Sequence, residues 1–156
     1  MIFRRASPED AGAVSGLIVS FLNTLTVDPN GTGAEQFLAS VSTEAEESYI
    51  LSDRYHYLVA EVEGDLAGFI AMQDKTHVFH LFVSPKYQRR GLARELWQKA
   101  RDAAGPHDVA REFTVNSSLL AVPVYERFGF ERVAAPVQKH GVSFVRMRYA
   151  AGANAP

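Results

Sequence analysis

Gln88-Arg89-Arg90-Gly91-Leu92-Ala93 is the stretch of this 156-residue chain whose residue types and spacing point most directly to chemistry. It lies between an apolar run, Val78 to Val83, and an amphipathic run with Leu92, Leu96, Ala100 and Ala103 on one face and Trp97 alongside. The spacing predicts a strand, a Pro-marked loop from Ser84 to Arg90, and a helix opening at Gly91. The first turn of a helix has backbone N–H groups without intrahelical partners, and the macrodipole adds partial positive charge there. Gly91 lets the backbone approach a ligand closely, and Ala93 keeps the next side chain small. A phosphate is the group such a junction receives. Six cations crowd the same stretch: Lys86, Arg89, Arg90, Arg94, Lys99 and Arg101. That footprint is too local for a nucleic-acid groove and suits a compact phosphate ligand. Charge alone would favour a solvated helix face.

Two further candidates sit beside the apolar strand. His77 and His80 carry imidazoles that titrate in the range useful for proton transfer. In a regular strand they point to opposite sides, and a bulge would change that. His80 stands among Phe79, Leu81 and Phe82, where a partly buried histidine bonded to backbone is the bland alternative.

Composition narrows the classes. The chain is 47% hydrophobic and 22% charged, which suits a globular domain and neither a disordered nor a fibrous one. With no Cys there is no disulfide, no thiolate metal site and no thiol nucleophile. No apolar run approaches membrane-spanning length and the N-terminus lacks a signal peptide's apolar core, so a cytoplasmic protein without a membrane partner is expected. The net charge of -2 hides an asymmetry: residues 1–85 hold four Lys/Arg against twelve Asp/Glu, and residues 86–156 hold twelve against six.

The elements that must position these residues are legible in order. Ser7-Pro8-Glu9-Asp10 starts a helix whose apolar face is Val14, Leu17, Ile18, Phe21, Leu22 and Leu25, and Asp28-Pro29-Asn30-Gly31 closes it. Thr32-Gly33-Ala34-Glu35 resembles a capping box opening a second helical region, which Ser42-Thr43 breaks before a last piece ending near Ser52. HYLVAEVEG and LAGFIAMQ then read as a hairpin turning at Glu63-Gly64-Asp65. The 78–83 strand is their antiparallel neighbour, and REFTVN (111–116), reached by a helix crossover, runs parallel to it. A short helix from Ser118 to Arg127 stops at Gly129, and Phe130–Ala135 with Ser143–Tyr149 forms a closing hairpin. The fold class is α+β: a mixed, mostly antiparallel sheet of six to seven strands flanked by about four helices on both faces. Residues 1–150 are expected to form one domain and 151–156 a frayed tail.

Two motifs in order resemble the GNAT superfamily of acyl-CoA-dependent N-acyltransferases. Gln88-Arg89-Arg90-Gly91-Leu92-Ala93 is similar to the family's Q/R-x-x-G-x-G/A pyrophosphate loop. Ala121-Val122-Pro123-Val124-Tyr125-Glu126-Arg127-Phe128-Gly129-Phe130 is similar to its A-x-x-x-Y-x-x-x-G-F segment. The order of elements extends the likeness over nearly the whole chain. Three departures stand out. Ala93 replaces the commoner Gly, Ser118 stands where many relatives have Asn, and Pro123 falls inside the short helix, which should start late or bend.

The resemblance implies acetyl-CoA or another short acyl-CoA as co-substrate, with no metal. Backbone groups of Leu81, Phe82 and Val83 would pair with the pantetheine arm, and the N–H near Leu81 would polarise the thioester carbonyl. Backbone N–H groups from Gln88 through Arg89, Arg90, Gly91, Leu92 and Ala93 to Arg94 would bind pyrophosphate, and Asn116 and Ser118 would supply further cofactor contacts. Tyr125 would protonate the leaving thiolate. His77, His80, or a water chain to Glu61 or Glu63 would serve as base. The acceptor, a small-molecule or peptide amine, would meet Phe21, Asn23 and Thr24, and the acidic half of the chain would favour a cationic amine. Without Cys, direct attack in a ternary complex is the simplest route. An acyl-CoA sensor without turnover is the alternative, and the resemblance leaves a homodimer open.

Overall fold

The chain begins with β1 (Ile2–Arg5), a 3-10 turn (Pro8–Asp10) and α1 (Ala11–Val19). Asp10 holds this corner: its carboxylate accepts the Ser7 N–H at 2.8 Å and pairs with Arg4 at 2.8 Å. The computed structural model describes residues 1–105 and 111–151. The helix expected to run on to Leu25 divides instead. Ser20 turns its hydroxyl back onto the Leu17 carbonyl at 2.6 Å, and the chain restarts as α2 (Leu22–Leu25). α3 (Glu35–Ser40) starts without a side-chain cap, so the box expected at Thr32 does not form; Glu35 accepts the Gly33 N–H at 3.1 Å. α4 (Thr43–Leu51) is capped by Ser42, whose hydroxyl accepts the Ala45 N–H.

β2 (Tyr55–Val62), β3 (Asp65–Gln73) and β4 (His77–Val83) make an antiparallel meander. Glu63 and Gly64 join the first two with φ of 51° and 83°, a two-residue turn whose twist matches its strands. α5 (Leu92–Ala103) buries Leu92, Leu96, Trp97 and Ala100, while Ala103 is exposed. β5 (Arg111–Ser117) follows, then α6 (Val122–Phe128). Pro123 lies in the first turn of α6, where its missing N–H removes no helical bond, so the helix starts at Val122 and not at Ser118. The strand expected over Phe130–Ala135 contracts to β6 (Glu131–Arg132). The hairpin is formed by β7 (Val137–Lys139) and β8 (Val142–Ala151). β8 reaches Ala151, one residue into the stretch expected to fray; 152–156 lie outside the described residues.

The strands form an eight-stranded sheet in the order β1-β2-β3-β4-β5-β8-β6, with β7 attached to β8. Among the described residues only β4 and β5 pair in parallel. The class is the expected one, with eight strands and six α-helices among the described residues. Each face of the sheet carries a core. α5 and α6 cover Ile70, Phe113 and Met147 on one side, and α1 and α4 cover Val59, Phe69 and Ala71 on the other. No helix among the described residues is long and apolar enough to cross a membrane.

Candidate active site

β4 and β5 stay together for two residue pairs, His77 with Thr114 and Val78 with Val115. Beyond them the strands part, while β3 follows β4 as far as Gly68 opposite Val83. One edge of β4 is therefore paired and the other is open. The Ser84 N–H donates to the Ala67 carbonyl at 2.8 Å. Alternation along an antiparallel ladder then aims the peptide groups of Phe82 at β3 and those of Leu81 and Val83 into the gap. The Gln88 side-chain amide donates to the Val83 carbonyl at 3.0 Å, tying the loop to the strand end.

The loop itself makes a 3-10 turn at Pro85–Tyr87 and then two left-handed residues, Arg89 at φ 63° and Gly91 at φ 77°. Gly91 is the N-cap of α5, and no side chain caps that helix, so its first N–H groups keep their capacity for a ligand. A Cβ at Gly91 would meet nothing within 4 Å, so the space beside this cap is open. Lys86 and Arg90 lie over the Tyr87 ring at 5.6 and 5.8 Å. Arg94 reaches the Arg127 carbonyl at 3.5 Å and the Phe128 ring at 5.5 Å.

A cavity of about 560 Å³ runs along the gap, with Leu81, Phe82, Val83, Gln88, Arg89 and Gly91 on its wall. Leu92, Ala93, Arg94, Ser118 and Tyr125 face it too, and Arg90 does not. The donor set fits a coenzyme A: uncapped N–H groups for pyrophosphate oxygens at one end, and an unpaired strand edge for amide groups along the arm. Among the described residues no group of three or more His, Cys, Asp or Glu could hold a metal ion.

A second cavity, of about 360 Å³, adjoins the first, and Leu25, Leu81, Phe82, Ser118, Ala121 and Tyr125 face both. Tyr125 stands at this junction, 6% exposed, with its ring edge-on to Phe128 and Phe130. Burial alone pushes its phenol above the ordinary tyrosine value, so it holds its proton.

Regular alternation would send His77 and His80 to opposite sides, and the structure does otherwise. The β3–β4 register slips where Ala71 faces His80 and Met72 faces Val78, leaving Phe79 as an extra residue. The bulge turns His80 to the side of His77, and both line the second cavity. His77 Nδ1 lies 2.8 Å from the Thr114 hydroxyl, and burial lowers its pKa. His80 Nε2 lies 3.0 Å from a carboxylate oxygen of Glu46, whose other oxygen accepts the Tyr57 hydroxyl at 2.6 Å. Burial, then the neighbouring Glu46 charge, raises the Tyr57 pKa and keeps it a donor.

Glu46 is wholly buried, and sequence reasoning missed it. One signal was present: Glu46 and Ile50 are four apart, hence on the same face of α4, and both are buried. Glu61 and Glu63 line neither cavity; Glu61 pairs with Arg4 at 3.3 Å and Glu63 sits in the hairpin turn. Phe21 and Thr24 line the first cavity, and the Phe21 ring lies 5.6 Å from that of Phe82. Asn23 is exposed and lines neither cavity, whereas Asn116 lines the second.

Comparison with known proteins gives this geometry its relatives. A curated relative, the uncharacterized N-acetyltransferase YafP of Escherichia coli (strain K12), is 34% identical over 94 residues, 58% of this chain. The chain spans 58% of that relative's length. The crystal structure of a GCN5-related N-acetyltransferase from Rhodopseudomonas palustris has a TM-score of 0.78 at 20% identity, covering 96% of this chain and 94% of that one. The PaiA N-acetyltransferase from Thermoplasma acidophilum in complex with coenzyme A has a TM-score of 0.72 at 18% identity, covering 95% and 97%. At those identities the two structures show a common fold. The Acetyltransferase (GNAT) domain family matches residues 25–151, a span that holds the parted strands, the left-handed loop and Tyr125, and this chain belongs to that family.

Proposed function

We propose that the protein is an acetyl-CoA-dependent N-acetyltransferase that acylates a primary amine by direct attack in a ternary complex. One observation carries this reading: β4 and β5 part beside an uncapped helix start, and Tyr125 stands where the two resulting cavities meet. The coenzyme A complex of the PaiA relative supports the choice of cofactor. Acetyl-CoA, when bound, supplies an activated acyl carbon and a thiolate leaving group. N–H groups from Gln88 to Arg94 receive its pyrophosphate, with Arg89 at hand for charge. The Leu81 N–H, aimed into the gap, polarises the thioester carbonyl.

An alkylammonium, with a pKa near ~10, must lose a proton before it attacks. His80 takes it in this reading. Its Nε2–H donates to Glu46, which leaves Nδ1 as the acceptor. The amine nitrogen bonds to the acyl carbon, the carbon–sulfur bond breaks, Tyr125 gives its phenolic proton to the sulfur, and the second proton that the nitrogen sheds in becoming an amide passes through water and restores the Tyr125 phenol. With no Cys in the chain, a cysteinyl intermediate has no place in the sequence of steps.

Titration calorimetry with CoA and with ATP, followed by thiol release from acetyl-CoA across a panel of amines, tests this reading. CoA binding with amine-dependent release is the expected result. Binding of ATP without CoA would sink it, and CoA binding without release under any amine would leave a sensor of acyl-CoA.

A further inference from the structure

The second cavity has a wall chemistry that the transferase reading alone does not explain. Among the described residues none that lines it is Asp, Glu, Lys or Arg. Phe37, Phe79, Phe82 and Phe144 give it aromatic walls, and its polar groups, such as Ser40 and Asn116, are neutral. His77 is bonded to Thr114, and burial keeps its imidazole in the neutral form. The carboxylate behind the wall, Glu46, is wholly buried and committed to Tyr57 and His80. The acidic excess of residues 1–85 therefore does not reach the cavity surface.

Val142, Ser143 and Phe144 of the β7–β8 hairpin form part of the cavity wall. Thr26 bridges to Val142, and the Val27 N–H donates to the Gly141 carbonyl at 2.8 Å. The hairpin tip sits against the loop before α3 so tightly that a Cβ on Gly141 would lie 2.5 Å from the Gly33 carbonyl oxygen. At about 360 Å³ the space is at the small end for a ligand site and suits one ring with a short chain.

Resting on the transferase reading, we propose that the second cavity takes an acceptor with a single amino group on an uncharged, largely apolar body, of the aralkylamine class. A second ammonium seated against these walls, as in a polyamine or an aminoglycoside, would lose part of its water and meet no carboxylate. An aromatic ring meets Phe37, Phe79, Phe82 and Phe144. The one amino group then lies between His80 and Tyr125. One ammonium proton leaves through His80, the nitrogen bonds to the acetyl carbon, the carbon–sulfur bond breaks, the sulfur takes the Tyr125 proton, and the nitrogen's second proton restores the Tyr125 phenol through water.

The test compares 2-phenylethylamine with 1,6-diaminohexane, spermidine and a tripeptide in the thiol-release assay, with CoA binding measured in parallel. Phenylethylamine is expected to exceed the diamine in kcat/KM by about tenfold or more, the effect of a charge that loses part of its water and gains no partner. Equal or better turnover of the diamine, spermidine or the peptide overturns the proposal. Ser143→Asp places a carboxylate on the wall from a half-buried position of β8. It should raise diamine turnover relative to phenylethylamine by about tenfold or more at unchanged CoA affinity, and no change in that ratio overturns the proposal as well. If no amine is acetylated, the transferase reading fails by itself, and binding to the CoA complex then decides on the cavity. Preferential binding of phenylethylamine upholds its uncharged chemistry, and preferential binding of the diamine overturns it.

Discussion

Tyr125, the proposed proton donor, and Glu46, the carboxylate behind the proposed base, differ in how a sequence marks them. Tyr125 is recognisable in sequence because its neighbours Gly129 and Phe130 stand at fixed local offsets, set by the C-terminus of one short helix. Burial raises its phenol above the ordinary value, so it keeps its proton to higher pH than a solvated tyrosine would. Turnover should accordingly show no alkaline decline from loss of this proton up to about pH 10; a pH–rate profile of kcat checks this. Tyr125→Phe should lower kcat by roughly 10²–10⁴ with CoA affinity nearly unchanged. Undiminished turnover would return the residue to the core. Glu46 is different. Its partner His80 is 34 residues away in sequence, and nothing local marks the pair. Glu46→Gln keeps the shape and removes the charge, so kcat should fall while the amine KM holds. Nitrogen-15 spectra of His80 should change from one Nε2–H tautomer to a mixture. A variant with wild-type kcat and an unchanged spectrum would assign Glu46 to packing alone.

At the scale of elements, the loop and the start of α5 are the part that residue types prescribe most closely. Ser84-Pro85 opens the turn, Gly91 takes the left-handed cap, and the helix begins at Leu92. Arg89 takes a left-handed conformation as well, which its residue type does not announce. Gly91→Glu would hold a side chain at φ 77°, a strain of about 1–2 kcal/mol, with no protein atom in its way. The protein should therefore fold and lose CoA affinity by about 100-fold, since the new carboxylate stands where phosphate is expected. Calorimetry with CoA measures the loss, and an unchanged affinity would remove the loop from the cofactor site. The bulge in β4 belongs to this scale too. HVFHLFV reads as a plain apolar strand, and the slip at Phe79 appears only when β3 is laid beside it.

For the molecule as a whole, the site lies between two halves of one sheet rather than on either half. β1 to β4 form one half, β5 with β8, β6 and β7 the other, and two pairs of residues hold the halves together at the parallel join. A ligand that fills the gap would bridge them and stabilise the folded state only. At 100 times its Kd, CoA should add about 2.7 kcal/mol to stability. For a chain of this length that is a rise in Tm of roughly 5–10 °C, measurable by differential scanning calorimetry. Gly91→Glu should show no such rise. A wild-type Tm indifferent to CoA would contradict a cleft between the halves.

Local residue patterns prescribe the strand-loop-helix unit, the hairpin at Glu63-Gly64, the order of elements and the position of Tyr125. These depend on periodicity and turn chemistry, which act over a few neighbouring residues. Tertiary structure alone decided where β4 and β5 part, that His77 and His80 share a side, that Glu46 stands behind His80, and that the second cavity carries no fixed charge. Each of those results from residues far apart in the chain being packed against one another, and local pattern carries no record of which distant partner will be there.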